Sequence, residues 1–389
     1  MLSTALPGFD GSLVNEDVRA AAFARFRELR SGRERPGRYW RIDLDALDIS
    51  QLRLRSMVAV PSIEATLSRG AIACDLATAV REHGVLVARA FGTSVDTASS
   101  KFAALATAFA NTGAFVYLPA GVCIDEHIAI TYRAGDDALF PYTLVLAEAG
   151  SQCTIIERIE SASENAFVCG VAEVVAAERT RITYASAQEL PSTARMYFTR
   201  KASPGSDAHM SWAAAELGGE LSASTIEVAI GAHGIEAEVA ALFFPGGDEH
   251  VDMVSSINHN VGDSRSNTVI KSAATGSGQA RYLGNIRILA HAQGSSAALR
   301  DDALLLSPKA HIDSIPALEI AANDVQAFHG ATVGAIDQDQ IFYMASRGIP
   351  PNDAEKMIAL GFFEPAIEMF PTHVLRERLR AALERKVRS

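Results

Sequence analysis

The densest gathering of metal-type ligands in the chain is GGDEHVDM (246–253), which brings together Asp248, Glu249, His250 and Asp252. Carboxylates and an imidazole this close form a donor set for a hard or borderline cation. The same spacing fits a polar corner leading into a strand, and that is the reading adopted. His259, in SSINHN (255–260), follows an apolar run and reads as a structural hydrogen-bonder. His329, in DVQAFHGATVG, stands where strand-like sequence meets helical sequence, and Gly330 after it permits unusual backbone angles. Spacing alone gives His329 a structural role. Cys74, Cys123, Cys153 and Cys169 form no Cys-x-x-Cys, so neither a zinc ribbon nor a dithiol motif is present. They read as small buried hydrophobes. ATGSGQ (274–279) lacks the Gly-Lys-Ser/Thr that cradles phosphate and reads as an exposed turn. No G-x-S-x-G, H-E-x-x-H or EF-hand loop occurs.

Three zones must position these residues. Residues 1–112 form a mixed helical region. A helix is predicted over 15–30, with Asn15 as its cap and Val18, Ala22, Phe26 and Leu29 on one face. SGRERPGR then breaks it. GVLVARAF (84–91) reads as a strand, and 96–110 as a helix capped by Asp96. Residues 113–327 hold short apolar runs separated by Gly, Ser, Asn, Asp and His. Ile226, Val228 and Ile230 alternate with polar neighbours, as do Ile235, Ala237, Val239, Ala241 and Phe243. Further strands are expected at 143–147, 153–157, 181–185, 195–199, 251–257, 267–271, 281–289, 303–307 and 317–320. So many consecutive strands without a helix mean a sandwich, a barrel, a propeller or a β-helix. No fixed period is present. A ladder of inward Val, Ile, Leu and Ala with small polar corners suits a parallel β-helix. Periodicity alone does not separate it from a sandwich, and GAHG (231–234) fits a hairpin turn as well. Residues 328–389 are helical. Asp337 caps a helix over 338–347, a second spans about 352–360 and ends at Gly361, and Pro371-Thr372 open a third. Its apolar stripe is Val374, Leu375, Leu379, Ala382 and Leu383, and its last turn is basic.

The chain has 389 residues, 48% hydrophobic and 21% charged, which excludes a largely disordered protein. Its net charge of −11 argues against a general nucleic-acid binder. Eight Arg against four acidic residues at 15–41, and six Lys/Arg against two at 371–389, make both ends basic. Those charges read mostly as solvated helix surface. Residues 102–124 carry no charge, but Asn111, Gly113, Pro119 and Gly121 break them into a helix end and a strand of buried core rather than a membrane span. MLSTALPGFDGSL lacks the basic and apolar regions of a signal peptide, so the expectation is a cytoplasmic protein with reduced cysteines and no membrane contact.

The stretch from 304 to 361 resembles the C-terminal part of the SufB/SufD family. The matching residues are Leu305-Leu306-Ser307, Ala310, Pro316, Leu318-Glu319-Ile320, His329-Gly330-Ala331-Thr332, Phe342-Tyr343 and Arg347-Gly348-Ile349. His259-Asn260 with Arg265-Ser266 resembles the family's central stretch. Tyr39-Trp40-Arg41 and Leu118-Pro119-Ala120-Gly121-Val122 are weaker echoes. The H-G-A-T form is similar to the SufD branch.

The resemblance implies a mainly β fold: a right-handed parallel β-helix core with N-terminal and C-terminal α-helical regions. It implies a non-catalytic scaffold for iron–sulfur cluster assembly in a SufB–SufC–SufD complex. Such a subunit pairs with SufB and docks the SufC ATPase through its C-terminal helical domain. An iron–sulfur cluster would be transient and shared with SufB; flavin binding is left open. His329 becomes a candidate iron–sulfur ligand at the SufB interface, although Ala327 stands where the family often has Cys. His127 is a second departure, at a local turn. SufC-binding candidates are Ile341, Phe342, Tyr343, Arg347, Ile349 and Met357, types enriched at interface cores. Of these, Phe342 reads as core and Arg347 as interface. The competing readings are a β-helix polysaccharide-active enzyme built on the 248–252 cluster, and a SufB-like self-associating homodimer.

Overall fold

The computed structural model describes residues 13, 16–29, 49–54, 60–67, 69–98 and 100–388. Asn15, the 31–38 break and Tyr39-Trp40-Arg41 lie outside the described residues. The chain begins with α1 (Glu16–Glu28), β1 (Ser62–Glu64), β2 (Ile72–Asp75), α2 (Leu76–Ala90) and α3 (Lys101–Phe109). Strands follow without a helix: β3 (Thr112–Leu118), β4 (Ile128–Ala134), β5 (Pro141–Ala147), β6 (Gln152–Ser161), β7 (Phe167–Ala176) and β8 (Arg181–Gln188). Next come β9 (Arg195–Pro204), β10 (His209–Glu216), β11 (Leu221–Ile230), β12 (Glu236–Phe243) and β13 (His250–His259). The last are β14 (Arg265–Ala274), β15 (Gln279–Ile288), β16 (Ser295–Leu305), β17 (His311–Ile320) and β18 (Val325–Ala335). Helices α4 (Gln338–Ser346), α5 (Pro351–Ile367) and α6 (His373–Arg388) close the chain.

From β3 onward, odd-numbered strands build one nine-stranded sheet and even-numbered strands the other. Each strand pairs in parallel with the one two places later. The chain therefore changes sheet at every corner, which is a parallel β-helix and excludes a sandwich of hairpins. GAHG joins β11 to β12 in opposite sheets, so it is a coil corner and not a hairpin. Alternate side chains fill the interior. Ile226, Val228, Ile230, Val239, Ala241 and Phe243 are all buried there. Each large aliphatic or aromatic side chain so buried contributes about 1.5–3 kcal/mol.

The coil length is set at one corner. Gly121, Gly150, Arg179, Asp207, Gly234, Asp263 and Gly294 all have positive φ. Each donates its backbone N–H to a carbonyl of the next coil's corner, as from Asp207 to His233 and from Asp263 to Gln293. Gly234 has φ of 72°, and a Cβ there would lie 2.1 Å from Asp207 Oδ1. A side chain at that corner would meet both left-handed strain and the neighbouring carboxylate.

The helices cover the two outer faces. Helices α1–α3 pack on the odd-strand sheet, where Phe102 stacks on Tyr197 at 4.1 Å between centroids. Buried Glu173 of β7 pins the α2–α3 connection. It accepts from the backbone N–H of Gly92, Ser94 and Val95 and from the Tyr142 hydroxyl. Helices α5 and α6 pack on the even-strand sheet, with Phe363 against Phe244.

Several local expectations change. GVLVARAF is the second half of α2, not a strand: the Asp75 carboxylate accepts from Thr78 N–H and starts the first half, the backbone kinks at His83 (φ −130°), and the helix resumes over 84–90. Leu76, Ala79, Val87 and Ala90 then share its buried face. Asp96 stabilises a turn by accepting from Ala98 N–H, and Ser100 caps α3. Helix α5 continues through Gly361 to Ile367, because Phe363, Ala366 and Ile367 are buried against the sheet. Burial outweighs the glycine penalty of about 1 kcal/mol. Val18 and Val374 are exposed, one turn beyond the buried stripes of α1 and α6. The last strand continues past residue 327 and carries His329 within it. Residues 102–124 fall in α3, β3 and the corner beyond. No helix among the described residues is long and apolar enough to cross a membrane.

Candidate functional site

The two ends of the solenoid differ. At the first coil, β1 lies antiparallel on β4 and β2 lies antiparallel on β3, covering both sheet edges. At the last coil, β17 and β18 are the outermost strands of their sheets. Among the described residues, every exposed large hydrophobic on a strand is in these two: Ile315, Ile320, Phe328 and Val333. Strand β18 has 11 residues and no Asp, Glu, Lys or Arg. A long, uncharged, apolar edge of that kind is a template for pairing with another chain.

His329 is placed by register. The interior rung Tyr184–Trp212–Val239–Thr268–Leu299 ends on it. In a closed coil that position is core; here no further strand covers it, and His329 is exposed. Ala327, on the same face, packs partly on the core. The next inward position of β16 is Asp301, opposite Ala331. Asp301 is fully buried and accepts from the Ser314 hydroxyl of β17. Burial pushes its carboxyl up to about 7. On the outer face, Asp302 gathers Lys271 Nζ at 2.7 Å, Arg300 Nε at 2.9 Å and Thr332 Oγ1 at 2.7 Å. Burial alone would raise the Asp302 carboxyl, but the Lys271 and Thr332 hydrogen bonds and the Lys271 charge hold it below the usual range. Lys271 Nζ also lies 4.6 Å from the Phe362 ring, so this cluster ties the last coil to α5.

A second surface adjoins it on α4 and α5. Asp337 caps α4 by accepting from Asp339 N–H. No residue of α4 is fully buried. Phe342 is 75% exposed, Tyr343 59% and Met357 55%. The reading of Phe342 as core is therefore corrected: α4 touches the domain through half-buried Ile341 and leaves Phe342 to solvent. Arg347 is exposed, with its guanidinium 5.3 Å from the Tyr343 ring, and Ile349 is half-buried. Asp337, Gln340, Tyr343, Met344 and Ile358 border a groove of about 410 Å³.

The other candidates resolve as structural. Asp248 accepts from Ser277, Glu249 pairs with Lys386 at 2.6 Å, and Asp252 pairs with Arg281 at 2.7 Å. Among the described residues no three His, Cys, Asp or Glu side chains converge to hold a metal ion. His259 is buried, its ring nitrogens 2.8 Å from the Ser264 and Ser266 hydroxyls, and burial lowers it to about 4. Cys153 and Cys169 are buried and Cys74 half-buried, but Cys123 is exposed, against expectation, at the rim of a corner. Burial pushes the Cys153 thiol up to about 12. The sequence reading missed Asp301, Ser314, Phe328 and Val333. An uncharged strand with an exposed Phe beside the motif histidine was the available signal.

The SufBD core domain of SUF-system iron–sulfur cluster assembly matches residues 130–362, and the SufBD N-terminal region matches residues 56–130. The iron–sulfur cluster assembly protein SufD of Bacillus subtilis is 30% identical over 329 residues, covering 82% of this chain and 75% of that protein. A SufBD family protein of Staphylococcus saprophyticus is 25% identical over 307 residues, covering 78% of this chain and 66% of that protein. One from Mycobacterium leprae is 28% identical over 261 residues, covering 66% of this chain and 30% of that protein. With its β-helix between two helical regions and these matches along most of its length, the chain belongs to the SufBD family of iron–sulfur cluster assembly proteins.

Proposed function

We propose that the chain is a SufD-like, non-catalytic scaffold that pairs with SufB through its open last coil and docks the SufC ATPase on α4–α5. The observation that carries this is the uncharged edge strand β18, with Phe328 and Val333 exposed around His329. A second solenoid placed on β17 and β18 would satisfy their free backbone groups and bury those side chains. His329 would then sit inside the joint. Imidazole can ligate an iron–sulfur cluster, as Rieske centres do, and with Ala327 offering no thiolate the remaining ligands would come from SufB. The cluster is cargo, shared and passed on. The setting would be the reducing cytosol, and ATP hydrolysis would belong to SufC.

On α4–α5, Phe342, Tyr343, Arg347 and Met357 form the proposed SufC contact, with Ile341 and Ile349 supporting it from half-buried positions. Anaerobic co-expression with SufB and SufC, followed by native mass measurement, tests the whole reading. One copy each of this chain and SufB with two SufC supports it. A chain that ignores both partners, or forms only a homodimer, overturns it. Within the complex, Phe342→Ala and Arg347→Glu are expected to weaken SufC binding by about 2 kcal/mol, roughly 30-fold, with unchanged melting of the isolated chain. His329→Ala should leave assembly intact and lower cluster output in cells; full output would remove the ligand role.

A further inference from the structure

Asp301 differs from the other buried acids of this end. Its neighbours Leu299 and Ala303 are core residues, so its side chain shares their inward face. The basic groups nearby, Lys271 and Arg300, are engaged with Asp302 on the outer face. In register it lies between Ile270 of β14 and Ala331 of β18. Ser314 donates to Oδ2, while the buried Oδ1 has no hydrogen-bond partner. Burial outweighs the attraction of the Lys271 charge at this carboxyl, and a carboxylate buried with so little compensation is costly.

The second observation is what stands over it. The only side chain that β18 sets opposite Asp301 is the methyl of Ala331. His329 is the diagonal neighbour on the same inward face, at a Cβ separation of roughly 7–8 Å for such positions. The imidazole of His329 and the Asp301 carboxyl, with the Ser314 hydroxyl on it, thus occupy neighbouring inward positions of the last two strands of this sheet and the strand facing them. Nitrogen with oxygen is a donor set for a borderline divalent cation such as ferrous iron.

We propose that Asp301, oriented by Ser314, is a second cation-binding group behind His329, forming a half-site for a divalent metal ion. This deepens the assembly-face reading above and rests on it. The half-site reaches solvent on the side of exposed His329, where water in the free chain and partner groups in the complex would supply the remaining ligands, while Asp301 closes it from within.

The test uses Co²⁺ alone as probe, added to the purified full chain and followed by its visible absorption and by calorimetry. Binding tighter than about 1 mM is expected for the parent chain. Asp301→Asn and His329→Ala should each weaken it by about tenfold or more. Glu319→Gln, on the outer side of β17, should leave it unchanged. Ser314→Ala provides a milder variant that keeps the carboxylate and should weaken binding by a smaller factor. No Co²⁺ binding by the parent, or binding unaffected by Asp301→Asn, overturns the proposal. A homodimer or a failure to bind SufB and SufC would instead overturn the partner reading, and leaves this Co²⁺ result to stand on its own.

Discussion

The first and last coils of this solenoid are built from the same alternation and finished in opposite ways. At the first, short antiparallel strands cover both sheet edges, and α1–α3 bury a continuous aromatic cluster. At the last, the edges stay uncovered and the apolar side chains of β17 and β18 reach solvent. Edge strands on monomers are ordinarily shortened, charged or hidden. The chain applies that rule at one end and omits it at the other, and the proposed pairing rests on that omission. A residue such as His329 then gains its chemistry from position: the same rung that is sealed core at Trp212 becomes an accessible imidazole where the rungs stop.

The largest expected effect separates the two ends by stability. Phe102 is buried against Tyr197 at the closed end, so Phe102→Ala should cost about 3–5 kcal/mol in urea unfolding of the isolated chain. Phe328→Ala at the open end should change that stability by less than about 0.5 kcal/mol and instead weaken pairing with SufB. If Phe328→Ala destabilised the free chain as strongly as Phe102→Ala, β18 would be internal structure and the contrast would fail.

Much of this was legible in the sequence, for identifiable reasons. The strand zone, its alternation at 226–243 and the Asp337 cap follow from short-range periodicity and local hydrogen bonding. Periodicity alone left a sandwich open, while the β-helix was legible through the family resemblance. Its repeat is written in a corner that accepts Gly, Arg or Asp in the left-handed conformation, so no sequence period marks it. The run 84–91 turns out helical: a short apolar segment looks alike in helix and strand, and what decides it, burial of Val87 and Ala90 in the cluster on the odd-strand sheet, is not local. Gly361 failed as a stop because burial of Phe363 and Ile367 lies downstream. At the site, the family resemblance located His329, but Asp301 is on the neighbouring strand of the sheet, two residues along in register, a relation no local pattern carries.

A second prediction concerns acid. His259, at the end of β13 in a fully covered coil, is held neutral at about 4 against an ordinary value near 6.5. Below about pH 6.5 the unfolded chain takes up a proton that the folded chain refuses. Stability should therefore fall as pH drops from about 6.5 to 4, by up to roughly 3 kcal/mol. His259→Gln, which keeps a polar group near Ser264 and Ser266, should flatten that slope in melting curves. A slope unchanged in the variant would assign the acid sensitivity elsewhere.

Asp301 gives the opposite sign. Its folded carboxyl is raised to about 7, so the stabilising contribution of its proton is fully present below the unfolded value near 3.9. That contribution is lost as pH rises toward 7, because the unfolded carboxyl ionises freely while the buried one resists. Asparagine keeps an acceptor for the Ser314 hydroxyl and has no proton to lose. Asp301→Asn should therefore change melting little at pH 4 and stabilise the free chain at pH 8, by up to roughly 4 kcal/mol. The same substitution is expected to weaken Co²⁺ binding. A variant that is more stable yet poorer at binding metal would mark Asp301 as a group retained at the open end for what binds there.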